Sequence, residues 1–155
     1  MKWTHSLFSG VAAVAAALLL AACASMGGDG ALTVPLTGSQ EVPPVKAAGS
    51  GTGTITVAAD KTVTAKITTQ GVAGTAAHIH EAPAGSNGPV AVPLDKTGEN
   101  EWSSKPGAKL TDAQYEAFKA GRLYFNVHTA QNKGGEIRGQ IRPAGGGGGM
   151  SGSKY

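Results

Sequence analysis

The chain has 155 residues, among them 24 glycines and 8 prolines, with few aromatics and modest charge. That length suits one domain with short extensions. Thirteen basic residues against ten acidic ones leave a formal charge of +3, and the basic residues are scattered rather than gathered in a stripe that could track a phosphate backbone, which argues against nucleic acid as a partner.

The first residues, Met1 to His5, are a short polar start with one lysine, and Val11 to Ala22 is an apolar run rich in alanine and leucine. The run is well short of the roughly 20 residues needed to span a bilayer, so residues 1–22 are expected to be a secretory signal peptide. Leu20-Ala21-Ala22-Cys23 resembles the bacterial lipoprotein signal, in which the cysteine is lipidated and becomes the mature N-terminus. Cys23 is the single cysteine of the chain, so no intramolecular disulfide can form even in an oxidising compartment. Ala24 after it suggests the outer membrane, where a lipid anchor would hold the protein in the bacterial cell envelope facing the periplasm. Loss of the signal removes Lys2, which leaves a charge of +2, and His5, which leaves three histidines.

Residues 23–31 have the small, polar composition of a flexible tether, and residues 144–155, with five consecutive glycines, that of a disordered tail. Between them, residues 32–143 form one domain of about the usual size. Leu32 to Leu36 alternates as a strand, and Pro35 suits an edge. Residues 53–58 and 62–68 alternate about a short turn and predict a β-hairpin, with Ile55, Val57, Val63, Ala65 and Ile67 inward and threonines outward. Further strands are predicted at 76–81, 90–94, 101–103, 123–129 and 136–141. The helix signal is at 111–120: Thr111 as N-cap with Gln114 three residues on forms a capping box, and Gly121 suits the C′ position. Seven or eight short strands with one short helix predict an all-β fold, an antiparallel Greek-key β-sandwich, with a small open barrel as the alternative.

The chemistry concentrates in Ala77-His78-Ile79-His80-Glu81. On a strand His78 and His80 project from one face and Ile79 from the other, so two imidazoles can share a metal ion. His128 lies on another predicted strand and completes a three-histidine set if folding brings the strands together. Imidazole suits copper and zinc, and an extracytoplasmic location places copper first, with zinc as the alternative. Glu81 and Asn126 are candidates to orient a ring from behind, although Glu81 faces away if the strand continues through it. His-X-His pairs also serve as ordinary hydrogen-bonding residues on sheet faces. Arg122, Arg138 and Arg142 could attract an anion, but are expected instead in surface ion pairs with residues such as Glu136. The glycine run 145–149 lacks the lysine and following helix of a phosphate-binding loop, and Met150 could reach a soft metal only through a flexible tail.

Taken together, Leu36-Thr37-Gly38-Ser39-Gln40-Glu41-Val42-Pro43-Pro44, Ala77-His78-Ile79-His80, Gly121 to Thr129 and Gly135-Glu136-Ile137-Arg138-Gly139-Gln140-Ile141 resemble the CHRD (chordin-type) domain family, in its single-domain exported bacterial form. One departure is Lys133, where the family usually has proline before Gly-Glu-Ile-Arg-Gly. The strand with His78 and His80 is also similar to the copper-ligand strand of Cu,Zn superoxide dismutases, themselves Greek-key sandwiches, but the chain lacks those enzymes' further histidines and disulfide. The expectation is a lipid-anchored, non-enzymatic CHRD protein that binds copper through His78, His80 and His128 in metal handling or copper tolerance. The alternatives are a non-catalytic module that binds an envelope protein partner, and a superoxide-dismutase-like redox enzyme.

Overall fold

The computed structural model describes Met1 and residues 30–144. The signal peptide, Cys23, the tether up to residue 29 and the tail from residue 145 lie outside the described residues.

Eight antiparallel strands and one helix follow in chain order: β1 (Leu32–Leu36), β2 (Ser50–Val57), β3 (Val63–Gln70), β4 (Gly74–Glu81), β5 (Val90–Gly98), β6 (Glu101–Ser104), α1 (Asp112–Lys119), β7 (Leu123–Thr129) and β8 (Ile137–Ile141). They form one sheet in the order β1-β2-β3-β6-β5-β4-β7-β8. The out-of-sequence neighbours, β3 beside β6 and β4 beside β7, are those of a Greek key. The sheet curls back on itself, because Thr37 and Arg138 exchange two backbone hydrogen bonds of 3.0 and 3.1 Å across the gap between the first strand and the last. The result is an all-β fold between a sandwich and a flattened barrel, in which one isolated bridge ties the two ends of the sheet together.

Period-two patterning puts the core where the sequence predicts it. β3 alternates strictly, with Val63, Ala65 and Ile67 buried and Thr64, Lys66 and Thr68 exposed. β2 meets it antiparallel with Val57 opposite Val63, and Pro35 sits in β1 at the end of the sheet order. Trp102, Phe125, Leu36, Ile55, Ile67, Ile79, Leu123, Ile137 and Ile141 fill the interior, each no more than 1% exposed. Burial of each such side chain stabilises the fold by about 1.5–3 kcal/mol. The two largest are accommodated by missing side chains: a Cβ on Gly74 would stand 2.5 Å from the Trp102 ring, and one on Gly53 would stand 2.5 Å from Phe125.

α1 starts on the capping box, with Gln114 N donating to Thr111 Oγ1 at 3.2 Å and Thr111 N donating to Gln114 Oε1 at 2.9 Å. It ends at Gly121, whose φ of +68° lets the chain turn into β7.

The outer face of β4, β7 and β8 is different from that of β2 and β3. On it stand His78 and His80 from β4, Tyr124, Asn126 and His128 from β7, and Arg138 and Gln140 from β8, brought level by the register pairs His78 with Asn126, His80 with Tyr124, and Asn126 with Arg138. Two chain segments reach this face: residues 38–45 after β1, and the loop 82–89 between β4 and β5. They are tied together where Asn87 Nδ2 donates to Val42 O at 2.7 Å.

Candidate metal centre

The three histidines converge. One ring nitrogen from each of His78, His80 and His128 lies within 4.8 Å of the other two. Nitrogens bound to a single copper or zinc ion at about 2 Å are at most about 4 Å apart, so the widest pair has to draw in by roughly 1 Å.

Backbone carbonyls set the ring orientations. His80 Nδ1 donates to Gly88 O at 2.9 Å, and His128 Nδ1 donates to Lys133 O at 2.9 Å. In a neutral imidazole a protonated Nδ1 leaves Nε2 as a bare lone pair, so both rings turn an acceptor toward the centre. His80 Nε2 is buried and has no hydrogen-bond partner, an arrangement that costs free energy unless something fills it. His78 Nδ1 and His128 Nε2 are 3.0 Å apart. Since His128 Nε2 is the acceptor, His78 Nδ1 carries the hydrogen, and a metal ion would take the place of that proton once His78 shifts to its other tautomer.

Burial lowers the pKa of all three rings. Desolvation is the largest cause in each case; the neighbouring imidazoles add to it at His78, while at His80 and His128 the carbonyl hydrogen bond pulls the other way. Lowered values keep the rings neutral at pH 7, which is the form that binds metal. Three neutral imidazoles, one of them with an orphaned buried lone pair, fit copper or zinc.

The two residues considered as ring-orienting partners stand elsewhere. β4 runs through Glu81, which places it on the Ile79 side of the strand. Asn126 shares the histidine face, but its Nδ2 donates to Glu41 Oε1 at 2.8 Å and not to a ring. The orienting groups are the carbonyls of Gly88 and Lys133, which no side-chain pattern in the sequence could announce. At Lys133, where the family usually has proline, the ring's partner is the backbone carbonyl oxygen, a group that either residue supplies.

Further partners also escaped the sequence. Tyr124 stacks on His80 with ring centroids 5.2 Å apart and 15° between planes. Its hydroxyl accepts from Gly88 N at 3.2 Å, so Tyr124 and His80 hold the N–H and the carbonyl of one residue, on two consecutive peptide groups. The guanidinium of Arg138 lies 3.5 Å from the Tyr124 ring centroid. Since β4 and β8 flank β7 on opposite sides, the tyrosine is held between the histidine and the arginine.

The arginines correct an expectation. Among the described residues the four ion pairs, Lys61 with Asp112, Lys66 with Glu101, Lys109 with Asp60 and Lys119 with Glu116, all use lysine. Arg122, Arg138 and Arg142 pair with no carboxylate, and Glu136 instead accepts from Thr129 and Asn132. Arg138 is not a surface residue at all: at 1% exposure it donates to Ser86 O at 2.8 Å, Pro83 O at 3.3 Å, Asn87 Oδ1 at 3.4 Å and Gln140 Oε1 at 3.0 Å. An outward position on β8 is covered here by the 82–89 loop, so the side chain satisfies itself on loop carbonyls.

A family model described as the CHRD domain matches residues 32–141. The chain belongs to the CHRD domain family. The match runs from β1 to the end of β8, so every part of the histidine cluster, including Gly88 and Lys133, lies inside the CHRD domain. Neither a curated protein nor a solved structure matches the chain at a significant level.

Proposed function

We propose that this CHRD protein binds one copper ion through His78, His80 and His128, and that it acts in metal handling or copper tolerance as a lipid-anchored component of the bacterial cell envelope. The observation that carries the reading is the orientation of the donors: His80 Nε2 is buried without a partner while its Nδ1 is engaged by Gly88 O, and His128 is turned the same way by Lys133 O. Two independently fixed lone pairs within 4.8 Å of each other and of a His78 nitrogen are more than a chance pair of histidines on a sheet face. Imidazole-only coordination favours copper and accepts zinc.

The protein's own residues would hold the ion and exclude competing protons. His80 and His128 are ready in the required tautomer, and His78 would offer Nδ1 to the ion in the tautomer that carries its proton on Nε2. A resident copper ion would supply redox chemistry or a cargo for transfer; carriage rather than turnover is the role we assign. The Cys23 motif supports the anchor, and Ala24 supports the outer membrane.

Titration of the purified protein with Cu(I), Cu(II) and Zn(II) tests the reading. Submicromolar, one-to-one binding is expected, with loss of at least a hundredfold on replacing His78 and His80 by alanine. Unchanged affinity in that variant would sink the assignment.

A further inference from the structure

A second concave site lies on the far side of Tyr124 from the histidines. It is a pocket of about 420 Å³ between residues 38–45 and the 82–89 loop, within the range of roughly 300–1,000 Å³ found for small-molecule sites. Arg138 and Gln140 line it from the sheet, Glu41 from the 38–45 segment, and Arg142 from just beyond β8.

Its charge is unbalanced. Neither Arg138 nor Arg142 lies within ion-pair distance of a carboxylate among the described residues. Burial of an arginine without a directly paired carboxylate is costly; the stacking on Tyr124 and the loop carbonyls that hold Arg138 do not neutralise it, and Glu41 acts on it electrostatically without pairing. Glu41, 5% exposed, is the one acidic residue that lines the pocket, and its carboxyl already accepts from Asn126. Desolvation raises its pKa to about 7, against the pull of Asn126 and Arg138 and with a small push from Glu136. Near neutral pH it therefore offsets only part of the two positive charges.

We propose that this pocket binds a small organic carboxylate, with Arg142 gripping the carboxylate and the buried Arg138 supplying a fixed positive charge behind it. The roles divide because both terminal nitrogens of Arg138 are already spent on the loop and on Gln140, whereas Arg142 is exposed and makes no ion pair among the described residues. The rest of the ligand is apolar: Val42, Pro44 and Ala84 line the pocket, and the volume holds roughly a dozen water-sized groups, far more than an inorganic anion fills. Glu41 adds selectivity, since its residual negative charge opposes a dianion more than a monoanion.

The test needs no metal and stands apart from the metal reading. Benzoate, benzyl alcohol and inorganic phosphate are titrated into the purified, metal-free protein while the amide resonances of Ser39, Gln40 and Gln140 are followed. Benzoate is expected to shift them saturably, with phosphate and benzyl alcohol at least tenfold weaker. Arg142→Ala should weaken benzoate at least tenfold and Arg142→Lys by less. Glu41→Gln should tighten it severalfold at pH 8. The proposal is overturned if benzoate gives no saturable shift, if phosphate or benzyl alcohol binds as well, or if Arg142→Ala has no effect on a folded protein.

Discussion

Two regions of the same sheet treat their outer faces in opposite ways. β3 exposes every second residue from Thr64 to Gln70. On β7 six of seven residues are buried and the seventh, His128, is partly so. Both strands carry apolar residues inward at period two; the difference is that segments 38–45 and 82–89 cover β4, β7 and β8 on the outside. A polar side chain on the bare face meets water and needs no partner. One on the covered face must be paired, protonated or ligated, and that demand turns Tyr124, Arg138, Glu41 and the three histidines into a connected site.

Removal of a polar group from each face breaks the comparison most directly. Arg138→Ala would leave the carbonyls of Ser86 and Pro83 without their donor and strip the Tyr124 ring of its stacked cation. A loss of about 1–3 kcal/mol is expected in denaturant unfolding, the cost of stranding buried neutral acceptors. Thr68→Ala, on the bare face of β3, should change stability by less than about 0.5 kcal/mol. Equal effects would show that the covering segments contribute little.

The pH dependence sharpens the same contrast. The carboxyl of Glu41 is raised from 4.5 to about 7 in the folded protein. Between those values the native state binds more protons than the unfolded chain, so this group's stabilisation is complete below pH 4.5 and is lost as pH rises through 7. A shift of that size amounts to about 3 kcal/mol. The three histidines, with lowered values, contribute in the opposite sense, their stability being present above pH 6.5 and lost on acidification. The exposed pairs of Asp60 and Asp112 titrate below 3.8, outside the window. Unfolding of Glu41→Gln beside the parent chain, measured from pH 4.5 to 7.5, isolates the Glu41 part. Parallel curves would mean that its carboxyl titrates normally.

How far the sequence carries follows from the same faces. Alternation alone locates the strands, the Thr111 and Gln114 pair locates the helix start, and period two puts His78 and His80 on one side. None of these patterns states what lies over an outward residue. Arg138 therefore reads as a surface cation, and Glu41, Tyr124 and Gly88 carry no mark of their place in the site. His128 comes into consideration as the third histidine left after the signal, on a predicted strand, but only the β4–β7 register sets it beside the other two. The covering segments are loops, whose course depends on contacts distant in sequence, such as that of Asn87 with Val42.

Gly88 probes the covering loop where it touches the metal centre. A Cβ there would stand 1.8 Å from the Glu81 carbonyl oxygen, a backbone clash that no rotamer relieves. Gly88→Ala must move the backbone whose carbonyl and N–H engage His80 Nδ1 and Tyr124 Oη. Copper affinity is expected to fall about tenfold to a hundredfold, the range for lost orienting partners, with the three ligands intact. Affinity within twofold of the parent in a titration would show that His80 needs no orienting carbonyl.

The smallest effect is expected at Lys133, and it discriminates between two kinds of contribution. If the residue acts through its side chain, Lys133→Pro removes a charge and an ammonium donor near His128, and affinity should change markedly. If it acts through its carbonyl, which accepts from His128 Nδ1 at 2.9 Å, proline supplies the same oxygen. The turn it sits in is closed by Gly135 N donating to Asn132 O at 3.1 Å, a bond that does not use the Lys133 N–H which proline would lack. Copper affinity should therefore stay within about threefold, and a fixed φ near −65° should leave stability unchanged or raised by about 0.4–1 kcal/mol. A larger loss of affinity in a variant of unchanged stability would place the lysine ammonium, and not the backbone, at the edge of the metal centre.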